Sequence, residues 1–153
     1  MNQYSVAKAL LGLYTKLPDA TLHIQNSVDK LVRRSFYYDR NTSTYNLCNK
    51  IIELNSLKAD YVNIKVLVDK ATAAMDKDAR KLLHLRFVKK WKFVKIANYF
   101  NVTLRTVFRQ YDRAVSGFCL QAERLGYDLN EGEELFGHLP LFLAQAAMQE
   151  STK

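Results

Sequence analysis

Arg105, Arg109 and Arg113 stand four residues apart within FVKIANYFNVTLRTVFRQYDRAVSGF (93–118), a spacing that stacks three guanidinium groups along one side of a helix. A guanidinium is a planar fork of donors that fits guanine O6 and N7, and one bidentate contact supplies about 1–3 kcal/mol of base discrimination. Leu104, Arg105, Phe108 and Arg109 project from the outward side of the first two turns, so these four are the expected base readers. Leu104 and Phe108 suit thymine methyl groups, and Phe108 has a second use in filling space beside Trp91. Lys89, Lys90, Lys92 and Lys95 lie just before or early in the preceding helix, where contacts to phosphate position such a module. Thr103, Thr106 and Arg113 complete the expected phosphate-binding set. Thr103 also stands where its oxygen can cap the second helix, whose free first-turn amides favour an anion.

Other chemistries find little support. There is no Gly-rich phosphate loop, no Ser-His-Asp arrangement and no cluster with metal-ligand spacing, so neither an enzyme nor a cofactor or metal is expected. The acids from Glu131 to Glu134 look like a solvated loop. Cys48 and Cys119 are isolated within helical patterns, which predicts reduced, packed thiols. No apolar run approaches the ~18–20 residues of a membrane span, and the amino terminus lacks the basic segment and cleavage site of a secretory signal. A cytoplasmic location without membrane partners is the expectation.

The formal net charge of +8 is unevenly distributed. From Arg80 to Arg113 ten basic residues face one acid, a net +9. From Met1 to Ala79 eleven face eight (+3), and from Ala114 to Lys153 two face six (−4). Positive charge confined to the stretch that carries the arginine series points to a polyanionic partner, double-stranded DNA.

The elements that must position these side chains are helical throughout. Five glycines and two prolines in 153 residues leave little material for β-turns, and the expected class is all-α. Val6, Leu10, Leu13 and Leu17 mark a first helix over 3–16, ended by Pro18. Asp19 or Thr21 caps a second, with Ile24, Val28, Leu31 and Val32 inward to about Phe36, and a loop follows to Ser43. A long helix over 44–75 repeats Leu47, Leu54, Tyr61, Val68 and Met75 every seven residues, with Leu57, Ile64 and Ala71 between, spanning about 48 Å at 1.5 Å per residue. That seam serves either a homodimeric coiled coil or packing against the helices of 3–36 in the same chain. Asp76 or Asp78 starts a helix to about Phe87 with Leu82, Leu83 and Phe87 inward, and Trp91 plugs the corner after it. Phe93, Ile96, Ala97 and Phe100 form the next apolar stripe, a break falls at 101–103, and Val107, Tyr111, Ala114 and Phe118 form the last stripe of the pair. Gly126 is the expected stop, and Leu139 to Met148 a short apolar tail helix that docks on the body or on a partner.

From Asp78 to Leu120 the chain resembles region 4 of the bacterial sigma-70 family of RNA polymerase sigma factors, within the broader helix-turn-helix and winged-helix-like superfamily. Arg86-Phe87 stands for the family's "RY" pair, Lys95-Ile96-Ala97 for "EIA", and Phe100-Asn101-Val102-Thr103 for "L-G-hydrophobic-S/T". Thr106-Val107 and Arg113-Ala114 follow at the family's "T-V" and "RA" spacing. The resemblance implies that Leu104, Arg105, Phe108 and Arg109 read a promoter −35-like element, and that RNA polymerase is a partner through the flap of its β subunit. Two departures stand out: Lys95 replaces the usual glutamate, and Lys90 occupies a turn position where the family often has glycine. Residues 1–75 show no likeness to the family's promoter-melting region 2. With the heptad helix leading into this module, the whole chain looks more like the small phage and mobile-element regulators of the ArpU type. The expected division is a helical amino-terminal region 1–75 for oligomerisation or interaction, a DNA-binding domain 76–126 with a reading helix over 104–120, and an acidic tail 127–153. A sequence-specific transcription regulator is the function this implies, and a factor acting mainly through RNA polymerase or another regulator is the alternative.

Overall fold

The computed structural model describes residues 1–36 and 43–151, and among them only helices and their connections occur. The loop expected up to Ser43 falls on residues 37–42, outside the described part. Two compact units emerge, one of residues 1–15 with 66–153, the other of residues 16–65.

In the first unit, α1 (Gln3–Leu13) is capped by Asn2, whose side chain accepts from the Ser5 amide at 2.9 Å. Val6, Ala7, Ala9, Leu10, Leu11 and Leu13 are all buried, too many for a single stripe. Such a helix needs cover on several sides. α6 (Leu104–Arg124), α7 (Gly132–Phe136) and α8 (Pro140–Ser151) all pack against it. The tail helix thus docks on the body, through Phe142 and Ala146. A Cβ at Gly132 would lie 2.5 Å from both methyl groups of Val6, so α7 reaches α1 only because this residue has no side chain. The acids read as a solvated loop belong partly to α7, where Glu133 accepts from the amino-terminal ammonium at 2.7 Å.

α4 (Lys77–Leu83) is followed by one π turn, His84–Val88. The wider turn shifts the inward register, so Leu82, Leu83 and Leu85 are buried while Phe87, expected inside, is half-buried. Asp76 precedes α4, but its side chain makes no capping hydrogen bond.

The second unit holds α2 (Leu17–Phe36) and most of α3 (Thr44–Ala73). Pro18 opens α2 where it was expected to end α1, because a proline in the first helical turn lacks only an amide that would have no partner. α1 instead ends in a 3-10 turn over Tyr14–Lys16. Neither Asp19 nor Thr21 caps α2. Both lie inside it, and the Thr21 hydroxyl donates back to the Pro18 carbonyl at 2.9 Å. Lys58 on α3 donates to Gln25 on α2 at 2.7 Å. Of the heptad positions on α3, Leu47, Tyr61, Ile64, Val68 and Ala71 are buried within the single chain. Cys48 is exposed where a packed thiol was expected. Cys119 is buried on α6, and that burial pushes its thiol pKa up to about 11, so it stays protonated through the neutral range.

No helix among the described residues is long and apolar enough to cross a membrane.

Candidate nucleic-acid interface

α5 (Phe93–Phe100) and α6 are joined by the three residues 101–103. Asn101 has left-handed backbone geometry (φ 55°), which asparagine tolerates better than most residues. Its amide and that of Val102 donate back to the carbonyls of Asn98 and Ala97, at 3.2 and 3.0 Å. This closes the end of α5 and turns the chain sharply. Thr103 then opens α6, its hydroxyl accepting from the Thr106 amide at 3.2 Å and sharing a 2.8 Å hydrogen bond with the Thr106 hydroxyl. Val107, Tyr111, Ala114 and Phe118 are buried on the inner side of α6, which meets α1, α4 and α5. At its far end Gly126 (φ 93°) takes the left-handed conformation, and Tyr127 donates back to Ala122 at 3.0 Å.

With one side of α6 anchored, the opposite side faces water. Arg105 and Arg109 are exposed, Leu104 is 40% and Phe108 45% exposed. The Phe108 ring leans on Phe93, with centroids 4.9 Å apart, and not on Trp91. Lys89, Lys90, Lys92 and Lys95 are exposed as well, while Thr106 is half-buried by its role in the cap. Among the described residues, none of Arg105, Arg109, Lys89, Lys90, Lys92 or Lys95 has a carboxylate within 4.0 Å, so their charges add into one positive field. Arg113 is exposed like its two neighbours in the series, and it also borders a hollow of about 630 Å³ whose lining includes Asp76 and Asp78.

Several contacts that shape this surface lie beyond what spacing reveals. The Lys95 ammonium sits 4.2 Å from the centre of the Trp91 ring, and Trp91 meets Tyr99 edge-on at 5.7 Å. Arg86 donates to the Trp91 carbonyl at 3.0 Å and lies 4.1 Å from the centre of the Phe93 ring, tying the π turn to α5. The family pattern marks Arg86-Phe87, and while Phe87 is expected inward, no spacing assigns Arg86 a task.

Lys90 has φ 56°, at the position where the resembled family often carries glycine. A left-handed residue with a Cβ costs roughly 1–2 kcal/mol, and glycine removes that cost while losing more chain entropy. Lys90→Gly is therefore expected to stabilise the fold by about 0.5–1 kcal/mol in urea unfolding. A lowered midpoint in urea would show that the Lys90 side chain itself holds the turn.

Compared with known protein families, curated proteins and solved structures, the chain matches none.

Proposed function

We propose that this chain is a sequence-specific regulator of transcription that lays α6 in the major groove of double-stranded DNA. Arg105 and Arg109 read guanine edges, Leu104 and Phe108 touch thymine methyls, and Lys89, Lys90, Lys92 and Lys95 hold phosphates, together with Thr103, Thr106 and the first amides of α6. The observation that carries this reading is an anchored helix whose free side bears arginines and neighbouring lysines with no acidic partner. Arg113, exposed and without a carboxylate within 4.0 Å among the described residues, belongs to the same phosphate set. By its resemblance to sigma region 4, the module positions the protein on a −35-like element in the cytoplasm of a bacterium, on host, phage or mobile-element DNA.

Selection of bound duplexes from a random pool tests this directly. Enrichment of one asymmetric hexamer supports a sigma-like mode, a palindrome supports a homodimer, and no enrichment overturns sequence-specific reading. On the selected site, Lys92→Ala is expected to weaken binding to all duplexes alike and to reduce the slope of log K against log salt by about one unit. An unchanged slope would remove Lys92 from the phosphate set.

A second reading, that the protein works mainly by binding RNA polymerase, is favoured by the outer side of α8, where Leu143 and Met148 are 51% and 57% exposed. Polymerase retained by a variant lacking both Arg105 and Arg109 side chains would support it, and loss of polymerase would count against it.

A further inference from the structure

A cavity of about 290 Å³ opens where α1, α8, the π turn, α5 and α6 come together, and the DNA reading gives it no task. Three aromatic rings line it: Phe87 from the π turn, Phe93 from α5 and Tyr111 from α6. Phe93 meets Tyr111 edge-on at 5.0 Å, and Phe87 stacks on Tyr111 at 6.1 Å, so the rings form one continuous apolar wall. Two cations share the lining. Lys8 holds its ammonium 5.6 Å from the centre of the Tyr111 ring, and Arg86 holds its guanidinium over Phe93.

Both cations are half-buried, and neither has a carboxylate within 4.0 Å. Glu150 is the one acid on the rim and is exposed, while the nearby amino-terminal ammonium is already paired with Glu133. Two half-buried cations beside an apolar wall, with ring faces as partners and no counter-ion among the described residues, are a setting that suits an anion. We propose that this cavity binds a small aromatic carboxylate, its ring against Phe87, Phe93 and Tyr111 and its carboxylate between Lys8 and Arg86.

The volume sits at the lower end of ligand pockets, which suits a molecule of one or two fused rings. Arg86 spends one N–H on the Trp91 carbonyl and keeps others of its five for a carboxylate. Burial pushes the Tyr111 hydroxyl up to about 12, so it remains a donor at neutral pH. A ligand held here touches α5 and α6 from one side and α1 and α8 from the other. The proposal does not depend on DNA binding.

The test uses the full chain and a panel of benzoate, phenylacetate and indole-3-carboxylate, each beside its neutral amide, with acetate as an anion that has no ring. Calorimetric titration and thermal unfolding are both followed. At least one aromatic carboxylate is expected to saturate one site per chain and raise the melting temperature, with its amide binding roughly tenfold or more weakly. Lys8→Met, and Lys8→Gln should the first variant fold poorly, are expected to weaken that carboxylate by a similar factor without changing the amide. The proposal is overturned if no member of the panel binds saturably, if amide and carboxylate bind alike, if acetate binds as tightly as the ring compounds, or if a folded Lys8 variant binds unchanged.

Discussion

Alanine at both Arg105 and Arg109 is expected to remove most of the discrimination between the selected site and random duplex while leaving much of the salt-dependent affinity in place. Each bidentate contact to guanine is worth about 1–3 kcal/mol, so on the proposed reading the pair would supply roughly 2–6 kcal/mol, a preference of about 30-fold to about 20,000-fold. On the proposed reading the residual affinity would rest on Lys89, Lys90, Lys92 and Lys95, which are exposed and have no acidic partner among the described residues. Salt titrations on cognate and random duplexes separate the two contributions, since base contacts alter the offset between the curves and phosphate contacts alter their slopes. Both arginines are exposed and lack a carboxylate partner, so the double variant should unfold within about 0.5 kcal/mol of the parent. Equal loss on cognate and random DNA would recast both residues as phosphate anchors and leave specificity to Leu104 and Phe108.

The parts of the fold that were legible in the sequence are those with strong contrast between two sides of a helix. Val107, Tyr111, Ala114 and Phe118 repeat at helical spacing opposite arginines, and all four are buried. The Thr103 cap and the Gly126 stop follow from side-chain chemistry at single positions. α1 lacks such contrast. Six of its eleven residues are buried, and no periodicity announces that α6, α7 and α8 cover it. The π turn adds a residue to one turn, and a reading at 3.6 residues per turn then selects Phe87 where Leu85 is the buried side chain. For the candidate site, residue types and exposure could be read directly, because charged side chains at helical spacing on a solvated face do not depend on tertiary detail. Arg86 was opaque for the opposite reason. Its task exists only once the π turn brings its guanidinium to the Trp91 carbonyl and the Phe93 ring. Arg113 borders a hollow lined also by Asp76 and Asp78, more than thirty residues away, a neighbourhood that spacing along one helix does not show.

Phe118→Ala is expected to be the most damaging single substitution for stability. The ring is fully buried on α6, the helix that meets α1, α4 and α5. Truncating a buried phenylalanine costs about 3–5 kcal/mol, because the transfer of its carbons from water is lost and the space left behind refills only in part. Domains of this kind typically hold about 5–15 kcal/mol in total, so the loss removes roughly a fifth of that stability or more, and nearly all of it at the low end of the range. Urea unfolding followed by circular dichroism measures the loss. Phe118→Leu provides the graded case, since it keeps most of the apolar volume and should cost much less. If Phe118→Ala loses under about 1 kcal/mol, α1 and α4 can close over the gap, and α6 is then anchored mainly by Val107, Tyr111 and Ala114. The two outcomes also predict different DNA behaviour. Where Phe118 holds α6 in place, a partly folded variant loses binding to cognate and random duplexes together. That pattern is opposite to the selective loss expected from the arginines on the outer side of the same helix.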